Sequence, residues 1–255
     1  MRNTDEVMLA TVVFRLLNRI SVGEAIWNQA DIEYESAWAQ YMETGKVAVL
    51  KRAILANCGN GPYVTGAYII SSPPGMNKLD GMLKIIDTFN KKSGWQVEAN
   101  YMSKMDGHSS LEIAWDWFKR NDYFGPFHSY EIVTDLRHTT LLGGAPDILT
   151  WANPGPGARR GLNRVHERKV KDHTVGRDGL IEEMRALLEI SRDARMWPHA
   201  DTASCGDGSF DERHRREIEN KWPAWEMREV EHTLCEFDKY ERVRLGEGKP
   251  RGVYR

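Results

Sequence analysis

Apolar residues in this chain recur at helical spacing in segment after segment, with hardly any sustained alternation. In "VMLATVVFRLLNRI", Met8, Val12, Leu16 and Ile20 share one stripe, with Val13 and Leu17 beside it. A recurrence of three to four residues lays one face of a helix on a core. The spacing predicts a core helix ending before Gly23, with Asn18 and Arg19 in its last turn. The same pattern marks "DIEYESAWAQYM", "VAVLKRAILAN", "LDGMLKIIDTFN", "SSLEIAWDWFKRN", "FHSYEIVTDLRHT", "GLIEEMRALLEI" and "WPAWEMREVEHTLCEFDKYERV", several of them separated by breakers such as "SSPPG", "NCGNGP" and "LLGGAP". Ser109 with Glu112 fits a capping box, and Pro223 suits a first helical position. Strands need a period of two; only "PYVTGAYII" has β-rich composition, and it is ambiguous. The expectation is an all-α fold.

With 255 residues, 41% hydrophobic and 28% charged, the chain has the composition of one globular helical domain spanning 1–255, with room for two lobes. The polar stretch 191–221 has few aliphatic residues and reads as a surface insertion. No apolar run of about 18 residues is present to cross a bilayer, and the first thirty residues mix charge into their apolar stretch, so a soluble cytoplasmic protein with no membrane partner is expected. Cys58, Cys205 and Cys235 are far apart and odd in number, which argues against a disulfide framework or a CxxC metal centre. No phosphate-binding loop of the G-x-x-x-x-G-K-[ST] type occurs, nor H-E-x-x-H, G-x-S-x-G or G-x-G-x-x-G after a strand. No cofactor and no metal requirement are expected.

Charge is unevenly placed although the formal net charge is −2. Residues 158–171 carry six Lys or Arg against one acid, and 239–255 carry six against two. In "NPGPGARRGLNRVHERKVK", Pro154 and Pro156 forbid a helix while Gly155 and Gly157 permit a tight backbone. A helix from Ala158 onward leaves N–H groups at its first turn for an anion. Arg159, Arg160 and Arg164 add donors that grip phosphate oxygens in bidentate fashion. A turn followed by a solvated basic helix accounts for the same residues.

Carboxylates placed to act as bases come next. In "DYFGPFHSYEIVTDLRH" a Gly–Pro turn opens an aromatic-bearing helix that ends near Asp135, and Asp147 follows Gly125 by twenty-two positions. Asp135 is equally a salt-bridge partner for Arg137 or a neighbouring helix, and Asp147 equally a helix N-cap after Pro146. On the last helix, Met227, Val230, Leu234 and Phe237 make the core stripe. Glu231, Cys235 and Asp238 then lie on one flank, with His232, Glu236 and Lys239 on another; either flank lines a site or is a solvated, salt-bridged face.

Four stretches in order, "FRLLNRI", "GPFHSYEIVTDLRHT", "PGPGARRGL" and "MREVEHTLCEFDKYERV…GEGKPRGVY", resemble a phage-centred family. It comprises the helical domain of 5-hydroxymethyluracil DNA kinases and the related α-glutamyl/putrescinyl thymine pyrophosphorylases, or amino acid:DNA transferases. The resemblance implies an enzyme of thymine hypermodification, working in the host cytoplasm if phage-encoded. Its implied fold is akin to that of helix-hairpin-helix DNA glycosylases, with Asp147 near the position of a glycosylase's catalytic carboxylate. Tyr123 stands at the hairpin's first glycine, Phe127 at the Schiff-base lysine, and the four-cysteine cluster is missing, so lyase chemistry is not expected.

The implied substrate is DNA bearing pyrophosphorylated 5-hydroxymethyluracil, and the implied reaction replaces pyrophosphate with an amine from an amino acid or polyamine. The leaving group needs cations or helix N–H groups, which Gly155, Gly157, Arg159, Arg160, Arg164 and Lys239 offer. An amine protonated at neutral pH needs a base, which Asp147, Asp135, Glu231 or Glu236 offers. Tyr123, Phe124, Phe127 and Tyr130 can stack on a flipped base, with Asn18, Arg19 and Tyr240 completing the pocket. A kinase of this family carries a separate nucleotide-binding domain that this sequence lacks, which favours the later, transfer step. Two other classes fit: a glycosylase for a modified pyrimidine, and a non-catalytic DNA-binding module partnering the kinase.

Overall fold

The computed structural model describes residues 4–28, 36–65, 71–191 and 225–248, which form eleven α-helices and no strand. The all-α expectation holds. The chain divides into two compact units, Met1–Pro146 and Asp147–Arg255.

The first unit contains α1 (Thr4–Leu16), α2 (Ile20–Trp27), α3 (Ala37–Thr44), α4 (Val47–Cys58), α5 (Lys78–Lys92), α6 (Trp95–Lys104), α7 (Leu111–Phe118) and α8 (Pro126–Leu136). Helix α1 packs against α5, α6 and α8, while α2 and α3 pack on α4. Met8, Val12, Val13, Leu16 and Leu17 are buried as their spacing predicts. The single helix expected up to Gly23 is instead two. Residues 17–19 leave the helical path, Arg19 is extended at φ −120°, and Ile20 is 77% exposed rather than on the stripe. The physical reason is Asn18, whose side chain accepts a hydrogen bond from the Thr65 N–H (2.9 Å) and competes with helix continuation.

Local signals set most other helix ends. Asn77 caps α5 through the Asp80 N–H at 2.9 Å, and Lys91 and Lys92 sit in its last turn, where the helix dipole favours cations. The cap of α7 is Ser110, bonded to the Ile113 N–H, one residue beyond the expected Ser109. Helix α6 went unpredicted, although Trp95, Ala99 and Met102 bury one face at four- and three-residue steps. Phe89 stacks on Phe118 (6.0 Å between ring centres) and meets Phe124 (5.3 Å). These rings fasten α5, α7 and the hairpin 119–125 that leads into α8. Tyr123 in that hairpin has φ +71°, a left-handed conformation usually left to glycine.

The second unit contains α9 (Pro156–Val165), α10 (Arg177–Ser191) and α11 (Met227–Arg244), with α11 packed against α9 and α10. Pro156 does not forbid α9: it is its first residue, after an extended Gly155, where its missing N–H costs nothing. Gly157 and Gly161 lie one turn apart on the face that meets α11. A Cβ on Gly157 would stand 2.6 Å from Cys235 Sγ, and one on Gly161 2.4 Å from the Leu234 carbonyl oxygen. Helix α11 opens with a capping box between Glu226 and Glu229. Pro223, residues 66–70 of "PYVTGAYII", and the stretch 191–221 apart from Ser191 lie outside the described residues. No strand forms over 62–65.

Candidate functional site

In the first unit, Arg15 on α1 reaches α8. Its Nε donates to Asp135 Oδ2 at 2.7 Å, its Nη2 meets Asp135 Oδ1, and its Nη1 donates to Glu131 Oε2 at 3.1 Å. Glu131 and Asp135 are four residues apart, so α8 turns both carboxylates to one side. Glu131 is buried, whereas Asp135 keeps 28% of its side chain open. One guanidinium against two carboxylates leaves the cluster a net negative charge. Burial lowers the pKa of His128 from its ordinary value, further aided by Lys78 and Arg15 and opposed by Glu131. The ring is therefore neutral at neutral pH, and its buried Nε2 makes no hydrogen bond to a described residue. A partly open carboxylate beside a neutral imidazole is equipped to accept a proton.

In the second unit, the carboxylates of α11 meet the start of α9. Glu231, buried, accepts from the Gly155 N–H at 3.2 Å and from the Cys235 thiol at 3.5 Å. The helix N-terminus expected to seat a phosphate is thus held by a carboxylate of the chain itself, the same electrostatic preference met internally. Burial first, then Glu231, pushes the Cys235 thiol well above its ordinary value, so it stays protonated. Asp238, wholly buried, takes Arg160 Nε at 2.7 Å and Arg164 Nε at 3.1 Å, with Arg242 Nε at 3.4 Å. Arg164 also pairs with Glu247. Cations outnumber carboxylates here, and Arg160 remains 31% exposed.

The four sequence stretches that carry the family resemblance pair off two by two: "FRLLNRI" with "GPFHSYEIVTDLRHT" through Arg15, and "PGPGARRGL" with "EHTLCEFDKY" through the glycines, Glu231 and Asp238. The sequence model of the family described as "5-hmdU DNA kinase, helical domain" matches residues 1–250. The chain belongs to that family. No curated protein and no solved structure matches it. Membership ties this helical domain to thymine hypermodification and to modified DNA as the substrate. Among the described residues no helix is long and apolar enough to cross a membrane, and no group of three His, Cys, Asp or Glu is placed to hold a metal ion.

Within this family member the remaining nominated residues are dispersed. Asp147 opens a single turn, its carbonyl accepting from the Thr150 and Trp151 N–H groups, and no regular helix follows it. Glu236 pairs with Lys239 on the exposed side of α11, next to the exposed Tyr240. Arg159 donates to the Val175 carbonyl at 2.6 Å. Phe124 and Tyr130 are core residues, which leaves Tyr123 and Phe127 as the exposed rings at the hairpin. Arg19 precedes α2 and is half-buried, as is Asn18, which ties the 17–19 break to Thr65. Arg15, His128 and Glu131 were not nominated from the sequence. The signal was there in "HSYEIVTD", where His128, Glu131 and Asp135 recur at steps of three and four.

Proposed function

We propose that this chain acts on DNA bearing a pyrophosphorylated 5-hydroxymethyluracil and replaces the pyrophosphate with an amine. The observation that carries the reading is the cluster on α1 and α8, in which Asp135 alone of the two carboxylates bound to Arg15 stays partly open, beside a neutral His128. In the reaction the C–O bond at the methylene on C5 breaks and its electron pair leaves with pyrophosphate. The amine lone pair forms the C–N bond, and the amine proton passes to Asp135. Arg160 and Arg242, turned partly to solvent around Asp238, offer charge for the leaving group. Tyr123 and Phe127 offer faces for a flipped base. Among the nominated bases this reading favours Asp135, because Glu231 is spent on Gly155 and Glu236 on Lys239.

A second reading, a non-catalytic module that holds modified DNA for a kinase, is favoured by the family's description as a domain. Pyrophosphate release from such DNA, with and without a mixture of amino acids and polyamines, separates the readings. Amine-dependent release that falls by about a hundredfold or more in Asp135→Asn supports the transferase. Binding without release supports the module, and liberation of free base would mean a glycosylase.

A further inference from the structure

A cleft of about 330 Å³ opens in the first unit between α1, α3, α5 and α6, within the size range of small-molecule sites. None of the nominated residues lines it. Its one charged lining residue is Glu6, whose Oε1 accepts from the Trp38 indole N–H and so holds the carboxylate in place. Tyr41 and Trp95, both buried, supply aromatic surface, and Asn90 and Gln96 supply amides. Asn90 Oδ1 is taken by the Trp95 indole N–H at 2.9 Å. The Tyr41 hydroxyl lies beside the Asn90 amide, buried and without a well-formed hydrogen bond to any described residue. Burial first, then the nearby Asp87 carboxylate, pushes Tyr41 far above the ordinary phenol range, so the hydroxyl stays neutral.

A fixed carboxylate, aromatic surface and an unsatisfied hydroxyl oxygen make a set that an ammonium group completes. It gains a charge-assisted hydrogen bond, an aromatic face and an acceptor together. No Lys or Arg lines the cleft, so nothing there would meet the carboxylate of an amino acid. The geometry points to this cleft as a binding site for a small primary alkylammonium without a carboxylate, such as a diamine. That the bound diamine is the donor transferred to DNA rests on the transferase reading; its binding does not.

The test is calorimetric titration of the full chain with putrescine, its uncharged diol analogue and glycine, in the absence of DNA. Putrescine should bind at least about tenfold more tightly than either of the others. Glu6→Gln, which can still accept from Trp38, should weaken putrescine by about tenfold. Met42→Trp, at the 36% exposed Met42 that also lines the cleft, should block it without touching Glu6. No putrescine binding, binding unchanged by both variants, or glycine binding as tightly would overturn the assignment. A protein that takes up putrescine but leaves modified DNA unchanged keeps this site and loses the transferase reading. Transfer by a protein whose amine affinity ignores both variants does the reverse.

Discussion

Asp238 is wholly buried on α11 and is met by three guanidiniums, those of Arg160, Arg164 and Arg242. Removing a buried charge from such an arrangement strands its partners in a low-dielectric setting, at a cost of about 3–5 kcal/mol. Asp238→Ala should therefore lose that much in urea denaturation, whereas Arg160→Ala, on the partly solvated partner, should lose only about 1 kcal/mol. Equal losses would contradict the account. His128 gives a pH-dependent counterpart. Its pKa is lowered by burial in the folded chain, so the unfolded chain binds the extra proton first. Its contribution is full above the unfolded value of about 6.5 and is lost as the pH falls below it. His128→Gln should flatten that acid limb of the stability curve; an unchanged limb would mean that other groups cause it. Helical spacing in the sequence puts Glu231 and Asp238 on one flank of α11 but cannot say what covers that flank. A charged flank with no visible partner looks solvated, and the partners here lie some 74 to 78 positions away.

The helices that carry the candidate site, α8 and α9, begin by the same device. Gly125 and Gly155 are extended, at ψ 175° in both, and a proline follows as first helical residue. Both starts are visible in the sequence as Gly–Pro. The role of the glycines that follow Pro156 is less so, because glycine serves turns, anion contacts and close packing alike. Spacing decides it: Gly157 and Gly161 are one helical turn apart and share the face against α11. Gly161→Ala should force α9 off α11, since its Cβ would meet a backbone carbonyl, and destabilise the protein by about 2–3 kcal/mol. Gly155→Ala, whose Cβ would stand 3.4 Å from Glu231 Oε1, should cost less than about 1 kcal/mol. Thermal unfolding of the two variants compares them, and a harmless Gly161→Ala would refute the close-packing role. The break after α1 was not legible for a related reason. Apolar periodicity runs on through Ile20, and only the tertiary bond from Thr65 to Asn18 tells the chain to turn.

At the scale of the whole molecule the charge distribution decides how DNA is met. Residues 158–171 look like a strong basic patch in sequence, yet Arg160, Arg164 and Arg168 all carry carboxylate partners, Asp238, Glu247 and Glu183. Paired cations release fewer counterions, so the log–log dependence of duplex affinity on salt should have a slope of about −2 to −3, not the −4 to −5 of about 4–6 free contacts. Fluorescence anisotropy across a salt series measures it, and a flat response would remove DNA as the partner. The all-α class and the family were legible from periodicity and four motifs, because both are local patterns. The pairing of those motifs into an Arg15 cluster and an Asp238 cluster was not, because it is made by packing. The decisive measurement is mass spectrometry of nucleosides from pyrophosphorylated 5-hydroxymethyluracil DNA after incubation with this protein, amino acids and polyamines. The account predicts a thymidine-derived nucleoside carrying one amine in place of pyrophosphate, absent with Asp135→Asn. Nucleosides left unchanged by the folded wild-type protein would contradict it.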